Sequence, residues 1–438
     1  MKASYIKKKF FETIDSIVAD PSPFVKRPGS DFTRTRLCPL RELVTFLLTM
    51  EAGTLNREIR RFFFKPTSSK KQPITKAAII QQRDKLNDTF FPFVFSAVNK
   101  IRPFTKTLNG FHLLACDGSD LDIPAYKDDK GTYVASNTEG VGYHQFHLNA
   151  IYDVLEQRYV DVSIQPRGEI NERSALVDFI RQTSLPEKSI FIADRGYFSL
   201  NVLAHMSVSK HHYVLRMNSD EASRAFIRRF NLPESDEFDV ILDFDVTRSY
   251  KKCYTKKPDK FVCLKPDRPF DFIPTDDKKS MFHVRTRLVK IKLSEGNYEF
   301  LFTDLPQEEF GSEELKHVYH LRWEIETSFS FLKYNMALNS FHSKRRDFIC
   351  QEIYARMILF NLTMLLVHSV ELPKKDCLLE YKVSISDAVI TCRDYLHNRM
   401  SNDTVALLLI DNVTPIREGR TYPRKKHTKR VVPLNYRA

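Results

Sequence analysis

The sequence predicts an α/β protein: a mixed strand-and-helix core, interrupted by a β-rich stretch, between a helical N-terminal region and a helical, basic C-terminal one. Three observations carry this. Residues 1–100 hold short helix-type runs with cap signals, and 105–217 alternates strand-type with helix-type runs. Residues 218–306 then lose helical periodicity, which returns at 307–375 in a strongly amphipathic segment. Residues 376–438 read as further helix followed by a basic tail.

In the first region, Pro39 suits the first turn of a helix through Leu47 and Leu48, and Gly53 interrupts the pattern. Asn56 can cap a second helix and Thr75 a third, TKAAIIQQRDKLN. Short helices with basic and Gln side chains on one face fit a helix-turn-helix DNA reader, with Gln81, Gln82, Arg83 and Lys85 toward the groove. A helical subdomain that only packs would give the same pattern.

From about 110 the texture changes. The apolar run Leu113 to Cys116 is a strand that ends in Asp117, with Gly118 after it. GYHQFHLNAIYDV and RYVDVSIQP follow as two strands joined by a hairpin at LEQ. Then come a helix (NERSALVDFIRQT), a strand ending in Asp194 (SIFIAD), a helix (SLNVLAHMSV) and the strand HYVLRM. Three strands, helix, strand, helix, strand is the order expected of an RNase H-like sheet. Asp117 and Asp194 share one local form, an acid after a buried run with glycine one or two residues on. Glycine is scarce here, twelve in 438 residues, so Gly118 and Gly196 mark places where the chain turns sharply or a ligand approaches. An Asp that merely caps a turn would look the same. Asp120 and Asp122 are rivals for the first acid, but they fall beyond the predicted strand end, where Asp122 belongs to the turn before Pro124.

Within 218–306 the runs FDVILDFDV, FHVRTRLVKIKL and YEFLFTDL are of strand type, so this stretch is a β-rich insertion. After it, YHLRWEIETSFSFLK spaces Tyr319, Arg322, Glu326 and Lys333 at intervals of three, four and seven. At about 100° per residue these four side chains project within roughly 60° of one another, beside an apolar stripe of Val318, Leu321, Ile325, Phe329 and Leu332. A carboxylate flanked by cations on a packed helix suits a phosphodiester site, with the acid on a metal and the cations on phosphates. A solvated charged edge is the plain alternative.

The spacing Y-x2-R-x3-E-x6-K resembles the signature of bacterial insertion-sequence transposases of the DDE type, the insertion sequence four group. The resemblance extends to both aspartates. It implies an RNase H-like core with Asp117, Asp194 and Glu326 as catalytic, metal-binding residues and Tyr319, Arg322 and Lys333 as DNA contacts. It implies two Mg²⁺ (or Mn²⁺) ions per site, and a metal-dependent polynucleotidyl transferase that nicks and rejoins the terminal repeats of its element and target DNA. The partners implied are double-stranded DNA and a second copy of the chain in a synaptic complex, in the bacterial cytoplasm at the nucleoid and with no membrane. Tyr319 as a covalent nucleophile is a minor alternative. Similar transposases carry an insertion between the second Asp and the Glu, and several stack a Trp from it on a flipped base. This chain departs there: its only Trp is Trp323, on the catalytic helix, so a Phe or Tyr stacks instead or the hairpin step differs. Two other readings stay open, a different RNase H-like nuclease and a non-catalytic DNA-binding protein derived from a transposase.

Composition agrees. Lys and Arg number 68 against 55 Asp and Glu, a formal charge of +13, which raises the local concentration of polyanions. The stretch from Ile416 to the end carries eight Lys or Arg and one acid, a basic tail that could be disordered, DNA-binding or both, and that RNA or an anionic membrane surface could also attract. Seven scattered cysteines without a C-x2-C pair support neither a zinc site nor a disulfide framework. The N-terminus lacks the apolar stretch of a signal peptide, and the longest apolar segment, 357–370, is too short to span a bilayer and reads as a buried helix. That segment with its surroundings (351–371) and the stretch 383–411 are the predicted dimer contacts; completing the core is the plain alternative for both, and for 351–371 as good a reading.

Overall fold

The strand-type runs assemble into one ten-stranded sheet, with helices on both faces. The computed structural model describes all residues except 1, 34–37, 65–73, 127–128, 136–141, 183–184, 218–220, 374–378, 417–435 and 437–438. The basic tail therefore lies outside the described residues, apart from Ile416 and Tyr436.

Five helices open the chain: α1 (Ala3–Ala19), α2 (Leu40–Thr49), α3 (Leu55–Phe63), α4 (Lys76–Asp84) and α5 (Phe90–Asn99). Next come β1 (His112–Ile123), β2 (Tyr133–Val134), β3 (Tyr143–Asp153), β4 (Arg158–Pro166), α6 (Glu172–Ile180), β5 (Ser189–Ala193), α7 (Leu200–Val208) and β6 (His212–Arg216). The β-rich stretch holds α8 (Glu221–Ile227), β7 (Phe238–Thr247), α9 (Lys252–Thr255), β8 (Phe261–Cys263), β9 (Met281–Ser294) and β10 (Asn297–Thr303). The chain closes with α10 (Ser312–Leu321), α11 (Trp323–Tyr334), α12 (Arg346–Val367), β11 (Tyr381–Val383), α13 (Ile385–Leu396), α14 (Asn402–Asp411) and β12 (Val413–Pro415).

The sheet order is β3-β1-β5-β6-β10-β9-β7-β8, with β4 and the short β2 both pairing with β3 at one edge. β1 pairs antiparallel with β3 and parallel with β5, and β5 pairs parallel with β6. The strands of 218–306 are not a separate sheet. β10 pairs antiparallel with β6 and carries β9, β7 and β8 outward as its continuation.

The central strands are apolar on both faces, because both are covered. Along β1 and β5, Leu113, Ala115, Ile190 and Ile192 face one core, and Leu114, Cys116, Phe191 and Ala193 face the other. The second core is closed by α6 and α7. The first holds α10 to α14 together with residues of α1 to α5 such as Phe10, Leu43, Phe46 and Phe90, so the N-terminal helices share a core with the C-terminal ones. At its centre α12 is buried along nearly its whole length. Its 22 residues are long and apolar enough to cross a membrane by composition, longer than the segment expected from sequence, yet 89% of its apolar window is buried inside the protein. A helix so enclosed has no face left for a dimer contact, which corrects the assignment of 351–371 to that role.

Four local readings change. Pro39 is the residue before α2 rather than in its first turn. Thr54, not Asn56, caps α3 by accepting the Arg57 N–H, whereas Thr75 caps α4 as expected. Arg83 does not face a groove: it is 1% exposed and hydrogen-bonds to α12. Finally, β1 runs on to Ile123, so Asp117 sits in mid-strand and Asp120 and Asp122 lie inside the strand rather than beyond it.

Candidate active site

Register alone brings two acids together. β1 and β5 run parallel with Cys116 opposite Ala193, so Asp117 and Asp194, the next residue in each, emerge side by side. Asp117 remains in β1 opposite Ala150 of β3, while the chain turns at Asp194, where the Tyr197 N–H bonds back to its carbonyl. Asp117 points to the face that α10 and α11 cover.

The predicted single helix is two. α10 ends at Leu321 and α11 starts at Trp323, and around Arg322 the backbone bonds tighten to three-residue spacing (Arg322 N–H to Tyr319, Ile325 N–H to Arg322). The break leaves Trp323 41% exposed while Arg322 is 1% exposed. Ser328 anchors α11 from behind through a 2.7 Å hydrogen bond with the Tyr159 hydroxyl of β4.

Arg322 forms the hub. Its Nη2 donates to Glu326 Oε1 at 2.8 Å, and its Nη1 lies 3.7 Å from Asp117 Oδ2, an ion pair too long for a hydrogen bond. Its Nε and Nη1 have no hydrogen-bond partner although both are buried. The Tyr319 hydroxyl donates to Asp194 Oδ1 at 3.0 Å. Lys333 reaches past the acids to the Asp120 carbonyl, 2.8 Å away. The structure thus gathers Asp117, Asp194, Glu326, Tyr319 and Arg322 at one place, with Lys333 at its margin.

Two residues that sequence reasoning missed complete the cluster. Arg216, at the end of β6, lies 3.5 Å from Asp194 Oδ1 and 3.0 Å from Glu299 of β10. The available signal was that in HYVLRM, as before Asp117 and Asp194, a short apolar run (Tyr213 to Leu215) is followed at once by a charged residue, Arg216.

Burial pushes the Asp117 carboxyl up to about 6; Arg322 and the Gly118 N–H oppose this, and Glu326 and Asp194 add repulsion. Burial also works against Asp194, but the Arg195 N–H, Arg322, Tyr319 and Arg216 together hold it below its ordinary range. Glu299 is raised, first by burial, with Arg216 opposing. Four carboxylates against two guanidiniums leave an acidic centre of hard oxygen donors. Asp117, Asp194 and Glu326 each bring a carboxylate to this centre. Among the described residues no three acidic, His or Cys side chains already close into a metal cage, and Arg322 stands between Asp117 and Glu326.

Gly118 has a different role from the one its sequence position implied. A Cβ there would lie 2.3 Å from His147 Nε2. His147 fills that space on the opposite face of the sheet, between Asp120 at 2.7 Å and Glu172 at 3.3 Å. Burial opposes its protonation, but the two acids raise it to about 9. Beside Asp194 and Glu299 opens a cavity of about 450 Å³ lined by Arg195, Arg216, Arg224, Arg228, Tyr298 and Phe300.

Comparison with known proteins adds the following. Residues 110–362 match the family model described as the transposase DDE domain. The chain is 22% identical over 237 residues to the putative transposase InsL for insertion sequence element IS186A of Escherichia coli K12, and equally to the transposase for insertion sequence element IS421 of Escherichia coli. The match covers 51% of this chain and 61% of each relative. Among solved structures, the piggyBac transposase synaptic complex with hairpin DNA aligns over 93% of this chain and 82% of that one, at 12% identity and a TM-score of 0.46.

Proposed function

This chain belongs to the transposase DDE domain family, and from that premise we propose that it is the DNA transposase of a bacterial insertion sequence, of the insertion sequence four group. It cleaves and transfers strands at the element's terminal repeats, with Asp117, Asp194 and Glu326 as the catalytic acids. One observation carries the proposal: three acids far apart in sequence lie around the buried Arg322, which pairs with Asp117 and Glu326 and acts on Asp194 through its charge. The strand order β4-β3-β1-β5-β6, antiparallel then parallel, supports an RNase H-like core in which β7 to β10 are the insertion.

Asp117, Asp194 and Glu326 would hold two Mg²⁺ or Mn²⁺ ions, which when bound activate the attacking oxygen and stabilise the leaving one. The chain's own groups position and hold the DNA. Arg322 balances and orients Asp117 and Glu326. A buried donor without an acceptor costs about 1–3 kcal/mol, so its Nε, which makes neither a hydrogen bond nor an ion pair, favours a phosphate oxygen that comes within reach. Tyr319 commits its one hydroxyl proton to the Asp194 carboxylate, so it would donate to a nearby phosphate only on releasing Asp194, and Lys333 anchors another. The cavity with Tyr298 and Phe300 among four arginines supports the view that an aromatic other than Trp takes the stacking role.

In the N-terminal helices Gln81 is the exposed groove candidate once Arg83 is withdrawn. Two element ends must meet, so two protomers pair on DNA. With α12 buried, α13 and α14 present the contact face, on which Ile390 and Leu407 are 55% and 60% exposed. The test is 3′-end nicking of DNA from the flanks of the gene, with Mg²⁺ or Mn²⁺, and mass measurement of the complex. Binding without nicking under either metal refutes the catalytic reading; active complexes of one chain and one end refute pairing.

A further inference from the structure

On the far side of β5 from the triad, a groove of about 930 Å³ runs between the starts of α6 and α7 and the wall formed by β8 and the loop after it. Its lining includes four cationic residues, Arg173, Arg229, Lys265 and Arg268, and no Asp or Glu. These four are exposed, and among the described residues none of them is in an ion pair. Arg173 Nε donates to the Gly196 carbonyl, two residues beyond Asp194, which joins the groove to the loop of the second acid. Aromatic surface interleaves with the charge: Tyr250 is 55% exposed, and Phe226 and Phe261 are half-buried.

The groove is held open by bonds to the backbone of its wall, which leave the side chains of Lys265 and Arg268 unused. Arg248 is 5% exposed and donates from behind to the carbonyls of Ile273, Lys265 and Arg268. At the loop's other end Asp271 is clasped by Asn201 and His205 of α7 and by Arg181. Asn171 and Ser199, the caps of α6 and α7, both line the groove, so two helix N-termini also face it.

We propose that this groove binds a single strand of DNA, its phosphates on Arg229, Lys265 and Arg268 and an unstacked base on Tyr250 and Phe226. Unpaired cations interleaved with exposed rings are what non-sequence-specific single-strand sites use. A mononucleotide pocket would need only one cluster of cations, whereas here they lie along both walls. The inference rests on the DNA-processing reading above, because it is the strand opened at the triad that would enter past Gly196.

The probe is a short fluorescent oligothymidylate titrated with the full chain across salt. Lys265→Gln with Arg268→Gln should weaken binding about tenfold and lower the salt slope by about 0.7 for each phosphate no longer neutralised. Tyr250→Ser should weaken it by a similar factor with the slope unchanged. Arg268→Lys should retain the slope, and all these positions are exposed, so the fold survives. Photo-crosslinking of a bromodeoxyuridine strand should attach at Tyr250 or Phe226. The proposal is overturned if the double variant binds like wild type, if wild type does not bind, if adducts map elsewhere, or if thymidine triphosphate binds as tightly as the oligonucleotide. Nicking of end DNA by wild type is scored separately. Its absence, with the groove variants still binding the oligonucleotide more weakly, refutes the catalytic reading and leaves the groove assignment standing.

Discussion

Arg83 and Arg322 are both 1% exposed and both face carboxylates, yet their surroundings differ completely. Arg83 spends every branch of its guanidinium: Nε on Gln351, Nη1 on Glu352 at 2.9 Å and Nη2 on the Phe348 carbonyl. Glu352 is bonded again by the His342 backbone and ring, and the ring reaches the Gly53 carbonyl. Burial would raise Glu352, but Arg83 and then His342 hold it at about 2. Around Arg322 the opposite holds. Nε and Nη1 make no hydrogen bond, Nη1 only a long ion pair with Asp117, and Asp117 is lifted to about 6. The first cluster is complete without a ligand and ties α4 to α12. The second keeps donors and an uncomfortable acid in reserve, the mark of a site arranged for something that arrives.

The largest expected effect breaks the comparison into its halves. Asp117→Ala, Asp194→Ala and Glu326→Ala should each cut nicking by on the order of 10³-fold or more, with end binding retained. Substantial metal-dependent nicking by any of the three would remove it from the catalytic set. Arg83→Ala should do the reverse, costing about 3–5 kcal/mol of stability by stranding Glu352 while activity per folded molecule is unchanged. Urea unfolding beside an activity titration reads both.

Asp117→Asn should stabilise the metal-free protein above pH 6. A rise from an ordinary Asp value near 3.9 to about 6 is worth roughly 2–3 kcal/mol, and removing the charge recovers part of it. The linkage signs are opposite in the two clusters. Native Asp117 holds its proton more tightly than the unfolded chain does, so its contribution is full below about pH 3.9 and is lost as pH rises through 6. Glu352 holds its proton less tightly, so its contribution is full above about pH 4.3 and is lost as pH falls through 2. Nicking should fall as pH drops through about 6, with a midpoint that moves lower at higher metal concentration; a midpoint independent of metal would mean that Asp117 does not hold it. The smallest effect concerns the margin of the site. Lys333→Ala should lower the salt slope of end binding by about one, and an unchanged slope would return Lys333 to a purely structural bond with the Asp120 carbonyl.

Much of this arrangement is legible in the chain, for reasons that are local. Strand periodicity delivered β3, β4, β5 and β6 close to their observed bounds, and the apolar run before Asp194 ends where β5 ends. The spacing of Tyr319, Arg322 and Glu326 was enough to send all three toward the sheet, even though the helix breaks at Arg322. Other features escaped because no local pattern encodes them. Asp117 looked terminal, since the apolar run stops at Cys116, but β1 continues because β3 pairs with it as far as Ile123. Gly118 looked like a turn and is a clearance for His147, a residue 29 positions later. Arg83 looked like a reading-head side chain, and only the packing of α4 on α12 shows it buried.

What the sequence set out by itself is most of the strands and helices of the core and a short list of candidate acids, because helix and strand periods and the residues at their ends are properties of a few neighbouring positions. The tertiary structure decided which charges are spent and which are held ready. Arg216, Glu299 and Arg322 acquire their meaning from partners at the ends of other strands, and Asp117 owes its raised proton affinity to burial that exists only once α11 lies on β1. Ionisation and hydrogen-bond satisfaction depend on distances across the fold, and those appear only when strand register and helix packing have set them.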